Sequence, residues 1–394
     1  MGTGQHSHLP GWLLLKLRPV RRFGYREDMS SVNASLPKYD EATWDRLRQM
    51  HTLILTEAQR GALLRNRELI GAMLQERMPG TTATPSQCWA DGCAFFSYSL
   101  ELPPDAWAKL RLHTYHFTGD NYQTYLWSEP GPLCGLWAGQ VADLPERLWL
   151  SEPAGGIGFP YQGRLISQDI LRFQRVIGAL HRHGVLEGLA VKAHPVTLEI
   201  GSGYGGLAYH LHCVIGCGTR VLLDLPETLL FAANYLALHC PQARVYVYSS
   251  QDAATALAEP QAYDFILLPN FRLDLLASWE FDLALNVESL QEMRAAQVDE
   301  YLAFLARTSG VFYSWNQEAN PGNRELDRLS DHLGRYFQLT PAAAPPASYK
   351  ARARAVVARA LTAGLGRVGL SLTRSGRRWV YPSPTEYFCR PLAS

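Results

Sequence analysis

The stretch Val196–Gly206, read VTLEIGSGYGG, leaves the chain few folds to choose from. Val196, Leu198 and Ile200 form the short apolar run of a buried parallel strand. Glu199 lies inside that run, and Gly201, Gly203, Gly205 and Gly206 follow with only Ser202 and Tyr204 between them. From Leu207 to Cys213 the composition is that of a helix start. Strand, glycine turn and helix in this order make a nucleotide-cradling unit. Glycines let the backbone approach a ligand, and the helix N-terminus offers unpaired N–H groups with a partial positive charge. A doubly wound α/β sheet is the predicted fold class.

The spacing separates two kinds of cofactor. A dinucleotide site uses G-x-G-x-x-G, with a pyrophosphate over the helix end. Here the pattern is E-x-G-x-G-x-G, with a carboxylate two residues before the first glycine. Glu199 would repel a pyrophosphate but attract an amino group or a sulfonium, which favours S-adenosyl-L-methionine over a nicotinamide dinucleotide. An ordinary tight turn would leave the same glycines. Downstream, RVLLDL (Arg220–Leu225) is a second apolar strand ending in Asp224. An acidic residue at that tip accepts hydrogen bonds from ribose hydroxyls; the alternative is a helix cap, since Pro226, Glu227 and Thr228 open the next helix. The expected cofactor contacts are Glu199, Gly201, Ser202, Gly203, Gly205, Asp224 and Leu225.

LEIGSGYGG, DLPETLLFAANYL and FDLALNVESLQEM together resemble the sugar O-methyltransferases, a branch of the S-adenosylmethionine-dependent methyltransferases. The resemblance is strongest from about Ser151 to Asn316 and returns in TEYFCRP near the C-terminus; SSVNASLPKYDEATW carries a weaker echo. It implies a Rossmann-like class I methyltransferase sheet, mostly parallel with its last strand antiparallel. It also implies an amide or acid after the third strand beside the adenine, for which Asn270 is preferred over Asp252. The aspartate-leucine-proline run occurs as well in small-molecule O-methyltransferases, so a phenol or polyketide acceptor stands as the alternative to a sugar or glycan. A binding module that keeps the fold without turnover is a third reading.

A chain of 394 residues suits two domains. Residues 1–150 read as an N-terminal helical or mixed, substrate-facing accessory region, 151–345 as the cofactor-binding domain, and 346–394 as a basic segment with the closing strand. A net charge of +1 argues against a nucleic-acid partner. Seven cysteines, an odd number without zinc spacing, point to reduced, mostly buried thiols and a cytoplasmic setting. The run WLLL before Lys16 is too short for a signal core or a membrane span.

Within the accessory region, Thr56-Glu57-Ala58-Gln59 is a capping box that starts a helix. Residues 81–150 are rich in Trp, Tyr, Pro and Gly, with short candidate strands and no clean period; HTYHFTGDNYQTYLW (113–127) mixes rings with polar groups as carbohydrate sites do, or as a core does. SEPAGGIGFPYQG (151–163) reads as a loop, followed from Arg164 by a helix with Ile166, Ile170, Phe173, Ile177 and Leu180 on its apolar face and Asp169, Arg172, Arg175 and His181 mostly opposite. Tyr349–Arg378 carries eight basic residues and no acidic one. As an amphipathic helix it could touch a membrane surface or an anionic glycan, or present a solvated face.

The strand Phe281–Val287 ends in a polar cluster at the switch in strand order, where ligands of open α/β sheets bind. Asn286 is placed against the cofactor, and Ser289, Gln291 and Asn316 against the acceptor. Methyl transfer to an alcohol needs in-line alignment and a base. Glu292, in the family's QEM motif, is the first choice. Glu288 follows, with His113 and His116 in reserve. Glu292 could instead be a structural carboxylate. No cluster has metal spacing, so metal-independent transfer is expected.

Overall fold

The computed structural model describes residues 54–78, 84–109, 130–154, 156, 158–320, 323–342 and 385–392. The basic lead-in before residue 38, the aromatic stretch 113–127 with His113 and His116, and the basic segment 349–378 lie outside the described residues.

Helix α1 (Glu57–Glu76) starts at the predicted box: Gln59 N donates to Thr56 Oγ1 at 3.2 Å and Thr56 N to Gln59 Oε1 at 3.0 Å. The described parts of 81–150 are helical rather than stranded: α2 (Gln87–Phe96), α3 (Pro104–Lys109) and α4 (Pro130–Val141). Pro104 and Pro130 open their helices, where a missing N–H costs nothing. A second departure follows at 159–166. Here β1 (Phe159–Tyr161) and β2 (Arg164–Ile166) form a hairpin whose turn is Gln162 at φ 48° and Gly163 at φ 73°, the paired positive φ of a two-residue hairpin turn. The helix expected from Arg164 therefore begins later, as α5 (Gln168–Arg182), with Ser167 Oγ accepting from Ile170 N at 3.0 Å.

After α6 (Val185–Ala190) the alternating part of the chain begins. Its elements are β3 (Val196–Ile200), α7 (Gly206–Ile215), β4 (Thr219–Asp224), α8 (Pro226–His239), β5 (Val245–Val247), α9 (Ala253–Ala258), β6 (Phe265–Pro269), β7 (Leu283–Val287), α10 (Ala295–Thr308) and β8 (Phe312–Asn316). Helix α11 (Leu329–Tyr336) leads to β9 (Phe337–Pro341), and β10 (Thr385–Pro391) closes the sheet. The order is β5-β6-β4-β3-β7-β8-β10-β9, with β10 antiparallel to both neighbours and the other pairings parallel. The architecture is Rossmann-like. The expected fold class, a mostly parallel sheet with a reversed last strand, is the one observed.

Chain order and sheet order differ toward both edges: β10 lies between β8 and β9, and the other edge shows the same kind of insertion. β6 enters between β4 and β5, although β5 comes first in sequence. All five residues of β6 are buried, as an interior strand with both faces covered requires, whereas β5 is three residues long with a partly exposed first residue and takes the edge.

One continuous core runs from Leu55 through the sheet to Cys389. Helix α1 lies along α8, where Asn66 Nδ2 donates to Asn234 Oδ1 at 3.1 Å and Arg77 grips Glu227 through two hydrogen bonds of 2.9 and 2.7 Å. At the other end Arg175 on α5 donates to Glu386 Oε1 at 2.5 Å while its guanidinium lies 4.7 Å from the Trp315 ring centre, pinning β10 to the sheet. The Glu227 side chain is only 6% exposed, so stripping its partner leaves a buried charge. Arg77→Ala is expected to cost about 3 kcal/mol, measured by chemical denaturation, while the conservative Glu227→Gln costs less because the charge it leaves unpaired, on Arg77, is the more exposed of the two.

Candidate active site

Strand order reverses between β3 and β7, and the crevice at their carboxyl ends is where an open α/β sheet takes a ligand. Gly201, Gly203 and Gly205 all adopt positive φ, at 73°, 56° and 79°. At Gly201 even a methyl is excluded, since a Cβ there would stand 1.8 Å from Ser289 Oγ. Gly205 caps α7, whose first N–H groups face the turn. The turn thus carries few side chains of its own, and Ser289 packs directly on Gly201.

Two carboxylates flank this turn. Asp224, at the β4 tip, accepts from Gly203 N through Oδ2 and from Leu225 N through Oδ1, both at 2.7 Å. It therefore ties the glycine turn to β4. The helix cap falls on Leu225 instead. Thr228 hydrogen-bonds to the same carboxylate, so of its roughly four lone-pair sites about one is left for a ribose hydroxyl. Desolvation lifts the Asp224 carboxyl to about 6 despite the bonds it accepts. Glu199 is buried, and its carboxyl has no hydrogen-bond partner among the described residues, with Oε2 fully enclosed. Burial, then the nearby Asp224 charge, hold it well above the usual carboxylate range. Ser202 Oγ is likewise buried and without a partner. Unmet buried polar atoms are rare and ask for an explanation. Glu199 and Ser202 present them at the place where the sequence predicts a cationic nucleoside.

The β7 side is built around two buried asparagines. Asn286 donates to Ile200 O at 2.7 Å and to Ser289 Oγ at 3.3 Å, and accepts from Leu290 N and from Asn316 Nδ2. Asn316 accepts from Ser289 N and Gln291 N and donates onward to Ser314 Oγ. These bonds occupy the full capacity of both amides. Asn286 and Asn316, expected to meet cofactor and acceptor, instead lock the loop 288–291 to β3 and β8. Gln291 is tethered as well, its Oε1 accepting from Gln317 N at 2.5 Å. Ser289 sits against Gly201, and Asn270 stands beside the β4 tip, following Pro269, the register partner of Asp224; Tyr301 hydrogen-bonds to it. Asp252 serves elsewhere, accepting from Tyr246 OH at 2.8 Å.

The two glutamates differ. Glu288 takes a left-handed conformation, φ 56°, unusual away from glycine, and pairs with Arg172 Nε at 2.9 Å. Arg172 also bonds Asp169, which accepts from Tyr204 OH at 2.9 Å, so one chain of contacts runs from the glycine turn to the β7 tip. Asp169 is fully buried, not on a solvated helix face as its position opposite the apolar stripe suggests. Glu292 ends a short turn (Leu290–Glu292) and accepts from the indole of Trp89 at 2.7 Å through Oε2. Desolvation pushes its carboxyl up to about 7, against the opposing effect of the Trp89 bond, with Glu288 and Asp224 adding repulsion and Arg172 relieving it. That is where a general base for neutral solution should lie. His210 is buried against Phe173 and driven down to about 3, so it stays neutral inside the core.

Sequence reasoning missed Trp89, Asp169, Arg172 and Tyr204 as site residues. The i, i+3 pair Asp169–Arg172 is a visible signal on α5, but nothing along the chain ties Trp89 to a loop two hundred residues away. Among the described residues no group of three His, Cys, Asp or Glu side chains could hold a metal, and no helix is long and apolar enough to cross a membrane.

No protein-family model matches the chain, and no curated protein does. Solved structures overlap it loosely. Precorrin-6y C5,15-methyltransferase from Geobacter metallireducens is 16% identical over 41% of this chain and 73% of its own, with a TM-score of 0.26. A mycolic acid cyclopropane synthase complexed with SAH and CTAB is 14% identical over 64% and 98%, at 0.31. An N-methyltransferase from Haemonchus contortus, in complex with phosphomonomethylethanolamine and S-adenosylhomocysteine, is 12% identical over 54% and 52%, at 0.30. Overlaps at this level decide neither substrate nor reaction.

Proposed function

We propose that the chain is an S-adenosylmethionine-dependent methyltransferase that acts on a hydroxyl of a sugar or glycan. The observation that carries this reading is the buried Glu199 Oε2, which has no hydrogen-bond partner among the described residues, beside a glycine turn that Asp224 ties to β4. Glu199 and Ser202 would take the polar methionine end of the cofactor, the backbone of Gly201–Gly205 its body, Asp224 the ribose hydroxyls, and Asn270 with Leu225 the base. When bound, the cofactor supplies an electrophilic methyl on a cationic sulfur. The residues of the chain do the rest. Asn286 and Asn316 hold the 288–291 loop against the cradle, so that Glu292 comes to the crevice on a fixed backbone. Glu292, poised near 7, accepts the acceptor proton. Alignment of this kind is worth up to about 7–11 kcal/mol, and the base a further factor of about 10²–10⁴.

The sugar acceptor follows from the resemblance of LEIGSGYGG, DLPETLLFAANYL and FDLALNVESLQEM to sugar O-methyltransferases. Calorimetric titration tests the cofactor: S-adenosylhomocysteine should bind and NADH should not. Asp224→Ala should weaken that binding at least about tenfold, because it removes the ribose acceptor and frees the turn it ties down. Unchanged affinity would remove Asp224 from the site. Transfer of a labelled methyl to extracted glycan, against a phenol panel, tests the acceptor; label on phenols alone would replace the sugar reading with its alternative.

A further inference from the structure

Residues 84–89 of the accessory region reach across the sequence to the loop that carries Glu292. Ser86 Oγ donates to Glu292 O at 2.6 Å, Trp89 Nε1 to Glu292 Oε2 at 2.7 Å, and Thr84 O accepts from Arg294 Nη2 at 2.8 Å and from Gln297 Nε2 at 3.2 Å. Four bonds over some six residues make a built junction. Three of them fasten backbone on one side or the other, as a structural contact would. The fourth goes to the carboxyl itself. It occupies Oε2 and leaves Oε1 without a partner among the described residues.

Resting on the methyltransferase reading above, we propose that Trp89 is a positioning residue for the transfer: its indole N–H fixes Oε2 of Glu292 so that Oε1 is the oxygen offered to the acceptor hydroxyl. In the step itself the acceptor oxygen forms its bond to the methyl carbon as the carbon–sulfur bond breaks. The electron pair of that bond stays on sulfur as a neutral thioether, and the hydroxyl proton passes to Oε1. The indole has a single N–H and no acceptor, so it favours the ionised carboxylate and cannot itself take the proton. A carboxylate free to rotate would present either oxygen and lose alignment. The groups facing Glu292 come from four elements: Trp89 on α2, Glu288 after β7, Asp224 on β4 and Arg172 on α5. Of these, Trp89 alone is neutral, so its removal changes the hydrogen bond without changing the local charge.

The test needs no acceptor. In protein carrying carboxyl-labelled [13C]glutamate, the resonance lost in Glu292→Gln is followed with pH in Trp89→Phe, which keeps a ring and removes the N–H. Its midpoint should rise by about one unit relative to the unsubstituted protein, with S-adenosylhomocysteine affinity and melting temperature little changed. An unmoved midpoint overturns the proposal. With a working acceptor, Trp89→Phe should lower kcat about tenfold or more with KM nearly constant, and should cause no further loss when combined with Glu292→Gln; additive losses would show that it acts by another route. Should Trp89→Phe not fold, Trp89→Leu, which also lacks a donor, carries the same titration. Failure of the methyltransferase reading looks different: the unsubstituted protein then binds no S-adenosylhomocysteine, whatever the Trp89 variants show.

Discussion

Glu292→Gln should lower kcat by about 10²–10⁴-fold while leaving S-adenosylhomocysteine affinity unchanged. The amide keeps the shape of the side chain and its bond from Trp89, so the loop stays in place and only proton acceptance is lost. The pH dependence follows from the same carboxyl, held near about 7 against an ordinary 4.5. A base works ionised, so log kcat should rise with unit slope below that pH and level off above it; in Glu292→Gln this limb disappears. The shift also bears on stability. A carboxyl whose folded-state value is raised binds its proton more tightly when folded, so it favours the native state at acid pH. This contribution is lost as pH rises from about 4.5 through about 7. Thermal melting of the ligand-free protein should therefore fall across that window, less steeply in Glu292→Gln. A fully active variant with an unchanged profile would exclude Glu292 as the base.

Gly201→Ala should be strongly destabilising. The new Cβ meets Ser289 Oγ at 1.8 Å and Ser289 Cβ at 2.4 Å, on a residue at φ 73°. The left-handed backbone costs about 1–2 kcal/mol and the overpacking about 1–3 more, so a total loss of about 2–5 kcal/mol is expected. Cofactor affinity should fall with it, because the cradle and the 288–291 loop are pushed apart. Adding Ser289→Gly should recover the packing part of the melting temperature but not the backbone part. Adding Ser289→Ala should recover little, since its Cβ remains in the way. A Gly201→Ala variant with native melting and binding would show that the turn does not need the close approach seen here.

Much of this was legible along the chain. The carboxylate before a glycine comb and the Asp224 strand tip mark a crevice because each is a local pattern: a buried run, a turn that demands positive φ, an acid at a strand end. The same holds for the capping box at Thr56 and the reversed strand TEYFCRP. Local patterns misled where the partner decides the role. Asn286 and Asn316 sit at strand tips like ligand contacts, yet each has spent its amide on the other and on the loop between them. Asp169 looks solvated by helical period and is buried under Arg172 and Tyr204.

By itself, then, the amino-acid sequence determined the alternating α/β architecture and the positive-φ glycine turn with acidic residues beside it, since strand burial, glycine conformation and helix capping are set by neighbours within a few residues. Only the tertiary structure decided which polar groups are left over to do chemistry. Hydrogen-bond capacity is consumed by whatever lies close in space, and for Glu292 that neighbour is Trp89, from a segment with no sequence relation to the glycine turn. Insertion of β6 beside β4 is of the same kind: a strand buried on both faces goes to the middle of a sheet wherever it falls in the chain.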